Sequence, residues 1–156
     1  MPCFSLTVYN TEGENENIGH KIDHMTKRQR VMVKLNEALV LARSRATGLE
    51  NVRKFNCWGS DLTDIRIIRR MTNVQVLSLS VNKISTLSDV SYCKNLEELY
   101  IRKNDVRNLN EICYLKSLPK LRILWLADNP CAAEEQYRMT VLKHLPNLQK
   151  LDNVRK

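Results

Sequence analysis

The spacing of apolar residues constrains this chain more than any other feature. Leu, Val, Ile, Phe or Cys fills the first, fourth and sixth positions of a unit that begins at Val52, Val74, Leu96 and Leu121, with a partial copy at Leu148. These starts lie 22, 22, 25 and 27 residues apart. The copies read "VRKFNCWGSDLTDI", "VQVLSLSVNKISTL", "LEELYIRKNDVRNL", "LRILWLADNPC" and "LQKLD". Their register persists beyond the first half. Position eleven holds Leu62, Ile84, Val106 and Cys131; position fourteen holds Ile65, Leu87 and Leu109; position seventeen holds Ile68, Val90 and Ile112; position twenty holds Met71, Cys93 and Leu115. A period of this size means stacked units, none of which can bury its apolar side alone.

Each copy follows L-x-x-L-x-L-x-x-N-x-L with conservative swaps, and this pattern resembles the leucine-rich repeat of the 22-residue kind found in many intracellular proteins. The resemblance implies an α/β solenoid: a short curved parallel sheet of about four to five repeats, closed by a cap at each end. Cys57, Cys93 and Cys131 occupy slots that are aliphatic in other copies, so packing is their role. Position nine holds Ser60, Asn82, Asn104 and Asn129. An inward amide offers donors and an acceptor, and stacked asparagines can satisfy backbone groups left open where strand becomes loop.

Four segments follow. Residues 1–31 are polar and match no repeat, so they are expected to be a disordered extension. Residues 32–51 supply the N-terminal cap, with a helix expected from Val33 to Gly48 that buries Leu35, Ala38, Leu39, Ala42 and Ala46. Residues 52–129 are the repeats. Residues 130–156 form the C-terminal cap, with a helix from Ala132 to His144 presenting Tyr137, Val141 and Leu145 to the last strand. Pro146 then turns the chain into Leu148 and Leu151. This cap resembles those of spliceosomal A-prime and axonemal dynein light-chain proteins.

The net charge of +8 is uneven. Residues 1–25 hold one basic and four acidic residues (net −3), residues 26–54 eight and two (net +6), and residues 55–156 sixteen and eleven (net +5). The basic stretch reads as a solvated helix face, because Lys and Arg favour water. An odd count of five cysteines without a C-x-x-C pair signals neither a disulfide framework nor a zinc ribbon, which suggests a reducing compartment, cytoplasm or nucleus. The N-terminus has no basic start or long apolar segment of a secretory signal, and no apolar run reaches membrane-spanning length. Glycines stand only at 13, 19, 48 and 59, which excludes the phosphate-cradling loops. His20, His24 and His144 have no Glu in metalloprotease order beside them, and no Ser or Cys lies in a nucleophile motif. No catalytic, cofactor-binding or metal-binding residues are expected, and hence no cofactor and no small-molecule substrate.

Strand alternation leaves positions three, five and seven facing outward. Position three reads Lys54, Val76, Glu98, Ile123 and Lys150; position five reads Asn56, Ser78, Tyr100, Trp125 and Asp152; position seven reads Trp58, Ser80, Arg102 and Ala127. Tyr100 and Trp125 fall on neighbouring strands, about 4.8 Å apart along the sheet. With Trp58, Val76, Arg102 and Ile123 they make the expected protein-binding residues of the concave face. Trp, Tyr and Arg dominate interface hot spots, and an exposed apolar cluster marks an interaction site.

"NCWGSDLTDI", "LSLSVNKISTL", "LYIRKN", "LRILWLADNPC" and "YRMTVLKHLPNLQKLDN", joined to "MVKLNEALVLARSRA", resemble the N-terminal domain of the cilia- and flagella-associated protein 410 family over roughly Met32 to Asn153. The resemblance implies a non-enzymatic scaffold or adaptor in cilium formation and maintenance. It also implies a place at the basal body and cytoskeleton, a part in cell shape, and a NIMA-related kinase partner in DNA-damage responses. Residues 1–31 have no counterpart in the resemblance, and the family runs on past the cap into a linker and a helical oligomerisation segment, so a longer form is expected. Two other readings compete: a ribonucleoprotein component of the A-prime type, and a regulatory subunit of a phosphatase or kinase. Residues 26–54 lack the interleaved aromatics that RNA modules use, which disfavours nucleic acid. Deleting residues 1–31 is expected to leave the melting temperature unchanged, and a clear fall would make the segment part of the fold.

Overall fold

The computed structural model describes residues 31–155. The expectations for residues 1–30, including disorder, lie outside the described residues. Residues Val31–Lys156 form one compact unit.

The repeats build a six-stranded sheet in chain order. β1 (Lys54–Asn56), β2 (Val76–Ser78), β3 (Glu98–Tyr100), β4 (Ile123–Trp125) and β5 (Lys150–Leu151) run parallel, and β6 (Val154–Arg155) returns antiparallel at the end. Register follows the repeat: Phe55, Leu77, Leu99 and Leu124 are successive partners, and Leu124 meets Leu151. All five are buried in one continuous core with Cys57, Leu79, Ile101 and Leu126. Cys93 and Cys131 are buried as well, as their slots require, while Cys113 is exposed.

The return segments are 3₁₀ turns at Arg66–Arg70, Ser88–Tyr92 and Leu109–Ser117. Apolar residues three apart explain this. A 3₁₀ helix has three residues per turn, so side chains at i and i+3 eclipse on one side. Ile65, Ile68 and Met71, and likewise Leu87, Val90 and Cys93, therefore point together into the core. Glu111 ties two such segments together by accepting from the Leu87 N–H and the Thr86 hydroxyl, both at 2.9 Å.

The inward asparagines form the ladder that position nine predicts. Asn82 donates to the carbonyls of Cys57 and Leu79, both at 2.8 Å, and its Oδ1 accepts from the N–H groups of Ser60 and Leu62, both at 3.0 Å. Asn104 bridges Leu79, Ile101 and Ile84 in the same way, and Asn129 bridges Ile101, Leu126 and Val106. The preceding residue has a positive φ in all four copies: 62° at Gly59, 60° at Val81, 56° at Lys103 and 59° at Asp128. That left-handed step turns the next side chain inward, at a cost of roughly 1–2 kcal/mol for a residue with a Cβ. A second, outer ladder went unnoticed in the sequence: Asn73 donates to the Glu50 carbonyl and Asn95 to that of Thr72.

Both caps are shorter than their sequence suggests. α1 spans Glu37–Ser44, not Val33–Gly48. Asn36 caps it, accepting from the Leu39 N–H at 2.9 Å, and Arg45 (φ 55°) ends it in place of Gly48. Ala38 and Ala42 are exposed. Leu35, fully buried, precedes the helix, where Lys34 bridges Asp64 as an added strand. Val40 is the helix residue that is fully buried. The C-terminal helix divides into a 3₁₀ turn at Pro130–Ala133 and α2 at Tyr137–His144. Val141 and Leu145 are buried as expected, and Tyr137 is partly so. Asp152 does not face outward from a strand. It sits in a left-handed turn (φ 54°), accepts from the N–H groups of Leu126 and Ala127 at 2.8 Å, and takes the Tyr137 hydroxyl at 3.0 Å.

Leu99 lies in the middle of the stack with no exposed surface. Leu99→Ala is expected to cost about 2–5 kcal/mol, through lost transfer energy and a cavity. Chemical denaturation of that variant checks the register, and an unchanged midpoint would refute it.

Candidate functional site

Positions three and five form two straight rows across the open face of the sheet. Lys54, Val76, Glu98, Ile123 and Lys150 make the first, and Asn56, Ser78, Tyr100 and Trp125 make the second. The Tyr100 and Trp125 rings meet edge to face, with centroids 5.4 Å apart and planes at 70°. Aromatic quadrupoles favour this arrangement over a flat stack. From β5, the Lys150 ammonium stands 5.9 Å over the Trp125 ring, within cation–π range. Trp125 is thus partly covered by both neighbours, and its Nε1 is shielded without a hydrogen-bond partner among the described residues.

The acids of this face are already engaged. Glu98 accepts from the Tyr100 hydroxyl at 2.8 Å and pairs with Arg122 at 2.5 Å. Burial raises the Tyr100 hydroxyl above its ordinary pKa, and the Glu98 carboxylate adds to the shift. Asp128 pairs with Arg102 at 2.6 Å. Pairs this exposed stabilise a fold by only about 0–1 kcal/mol. Their effect here is on charge. Lys54 and Lys103 have no carboxylate within ion-pair distance among the described residues.

One groove gathers most of the expected residues. Trp58 stands at one side, 62% exposed, with its N–H held by Asn56 Oδ1 at 3.1 Å. Tyr100 and Trp125 stand at the other, Ser78 and Ser80 lie between, and Val81, Arg102 and Lys103 complete the lining. Val76 and Ile123 are partly buried on the same face, in the row of Glu98, but do not line this groove. Sequence reasoning missed Lys103, because alternation along a strand says nothing about a turn residue. The left-handed position eight, legible only once the asparagine ladder is fixed, would have found it.

A family model described as leucine-rich repeat matches residues 55–156. The chain belongs to the leucine-rich repeat family. Among curated proteins it is similar to cilia- and flagella-associated protein 410 of Mus musculus, 57% identical over 78% of this chain and 49% of that protein. The Homo sapiens counterpart is 56% identical over 78% of this chain and 48% of that protein. The chain thus spans about half the length of these relatives. Among solved structures, a chain of the Drosophila melanogaster SNF/U2A' complex superposes with a TM-score of 0.61 at 19% identity, covering 80% of this chain and 86% of that one. At that identity the likeness is one of fold. An internalin from Listeria monocytogenes shares the same leucine-rich repeat architecture at a TM-score of 0.56 and 22% identity, over 72% of this chain and 40% of that one.

Among the described residues no three of His, Cys, Asp and Glu gather as metal ligands would. His144 Nδ1 lies 2.8 Å from the Thr140 carbonyl within α2, and His20 and His24 lie outside the described residues. Burial pushes the Cys93 thiol up to about 12, and burial followed by the charge of Glu134 pushes Cys131 up to about 11. Both are therefore protonated and inert at neutral pH, since the thiolate is the reactive form. Among the described cysteines, a thiol-alkylating reagent is expected to modify only Cys113 in the native protein. Cys57, Cys93 and Cys131 should join it only on unfolding. Peptide mapping by mass spectrometry checks this, and rapid native labelling of Cys93 would contradict its placement.

Proposed function

We propose that this chain is a non-enzymatic scaffold that binds a protein partner through the open face of its sheet, in a ciliary setting. The observation that carries the reading is the Tyr100–Trp125 pair, set edge to face beside an exposed Trp58 on a face that no cap or loop among the described residues fills. A soluble protein gains nothing for its own core from large aromatic rings on that side. A partner that covers them gains area and desolvation, which is how Trp, Tyr and Arg become hot spots. The ciliary setting draws its support from the similarity to the two proteins named for cilia and flagella. Basal-body and cytoskeletal organisation, cytoplasmic and nuclear residence, and a NIMA-related kinase partner in DNA-damage responses follow from that family resemblance alone. A regulatory subunit of a phosphatase or kinase would use the same face.

The ribonucleoprotein reading draws less from the site. Single-stranded RNA needs flat aromatic platforms along a cationic track. Here Lys150 occupies the Trp125 ring, Tyr100 meets that ring at 70°, and Glu98 and Asp128 stand among the cations.

Replacing both Tyr100 and Trp125 by Ala tests the proposal. The stability cost is expected to be modest, on the order of the 0.5–1.5 kcal/mol of an aromatic pair plus some lost area, because no core cavity opens. Loss of the hot spot should remove at least about 2 kcal/mol of binding energy. That is a drop in affinity of roughly thirty-fold. Melting temperature and affinity capture from ciliated cells are measured on the same variant. Intact capture by a well-folded double variant would move the site off this face.

A further inference from the structure

The geometry points to the chemistry of the partner: an acidic polypeptide segment with one large apolar side chain, which lies across the strands in the groove between Trp58 and Trp125. This rests on the scaffold reading above. It adds which ligand chemistry the face selects.

Three observations carry it. The first is charge. Three acids stand beside the groove: Glu98 is neutralised by Arg122, Asp128 by Arg102, and the Asp152 carboxylate is taken up by the N–H groups of Leu126 and Ala127 and the Tyr137 hydroxyl. Lys103 lines the groove with no carboxylate of its own among the described residues, and Lys54 stands on the same face likewise unpaired. The uncompensated charge is therefore positive, and electrostatic complementarity calls for carboxylates on the ligand. The second is shape. Ser78 and Ser80 give the groove a small-residue floor, and neither hydroxyl is engaged by another described side chain. Large rings wall it on both sides. Trp58 follows β1 and Trp125 lies on β4, three strand steps away, or roughly 14 Å. About four extended residues cover that distance, so one short segment can touch both walls. The third is apolar content. Trp58 is 62% exposed and the Tyr100–Trp125 pair is only partly covered, so one apolar anchor on the ligand has rings to bury against. Arg102 and Lys103 both follow β3 and so meet the groove at a single point along its length, which suits one or two carboxylates better than a phosphate at every step of a nucleic acid chain.

The test pans the full chain against a displayed library of short random peptides, then measures the enriched sequences by fluorescence anisotropy. Enriched peptides are expected to carry net negative charge and one aromatic or large aliphatic residue. Lys103→Glu should weaken them by about ten-fold or more at low salt, with a difference from the parent that shrinks as salt rises. Lys103 is exposed, and its fold contacts are backbone bonds, its N–H donating to the Ala127 carbonyl and its carbonyl accepting from the Asn82 N–H, so the variant should melt like the parent. Changing the acids of an enriched peptide to Lys should restore binding to Lys103→Glu. Neutral or basic enriched peptides, acidic ones indifferent to Lys103→Glu, or no enrichment at all would each overturn the inference. If such non-acidic peptides are still lost on the Tyr100 and Trp125 double variant, the scaffold reading stands without the acid preference. If peptides bind that double variant undiminished, both fall. A labelled polyuridine that displaces the peptides from the groove would assign it to RNA instead.

Discussion

The hydrogen bonds of Asn82, Asn104 and Asn129 are the constraint on which everything else in this fold depends. A strand of three residues cannot satisfy its own ends. Where each copy leaves the sheet, two carbonyls and one or two N–H groups face the interior with no water to meet them. The asparagine of the next copy reaches back and closes them, with both amide hydrogens on carbonyls. Each group left open would cost about 1–3 kcal/mol. The same bonds fix the distance between copies, and so bring Phe55, Leu77, Leu99 and Leu124 into one buried row. The left-handed residue before each asparagine is the local strain accepted for this arrangement, most costly at β-branched Val81.

Satisfying the loops from within has a consequence for the other side of the sheet. Asn56 holds the Trp58 N–H, but the other outward side chains of β1 to β4 hold no backbone group among the described residues, so positions three, five and seven are largely free to vary in chemistry. The chain uses them for a Tyr–Trp pair, an exposed Trp, a serine floor and cations in excess of free acids. Stability thus sits on one face of the three-residue strands, and the recognition proposed above would use the other. The C-terminal end shows what happens where the pattern stops. Asp152 takes the place of a further repeat, accepting the last free N–H groups of β4 and the Tyr137 hydroxyl.

The inward face was legible in the sequence because every repeat states it again. Four copies of one register leave little room for error, and each apolar slot from four to twenty is buried, while at position nine Ser60 and Asn104 are half-buried. The caps occur once each, and single copies carry less information. The alanine spacing from Ala38 to Ala46 fits a helix of either length, and α1 stops early because Arg45 takes a left-handed conformation (φ 55°) and ends it. Leu35 fits the helical spacing yet lies between the Lys34–Asp64 bridge and the start of α1, since an isolated apolar residue has no period. On the open face the sequence placed Tyr100 beside Trp125. It could not show that Arg122, a neighbour outside the outward rows, would neutralise Glu98, or that Lys103 would reach the groove from a turn. Those facts depend on side-chain direction and backbone sign.

Amide hydrogen exchange on Asn82→Ala tests the role of the asparagine ladder most directly. In the unaltered protein the N–H groups of Ser60 and Leu62, which Asn82 receives, should exchange slowly. In the variant both should lose protection, while those of Ile84 and Val106, held by Asn104 and Asn129, stay protected relative to the variant's own global stability. Undiminished protection at Leu62 in a folded variant would contradict the account, because the loops would then be held by something other than the ladder.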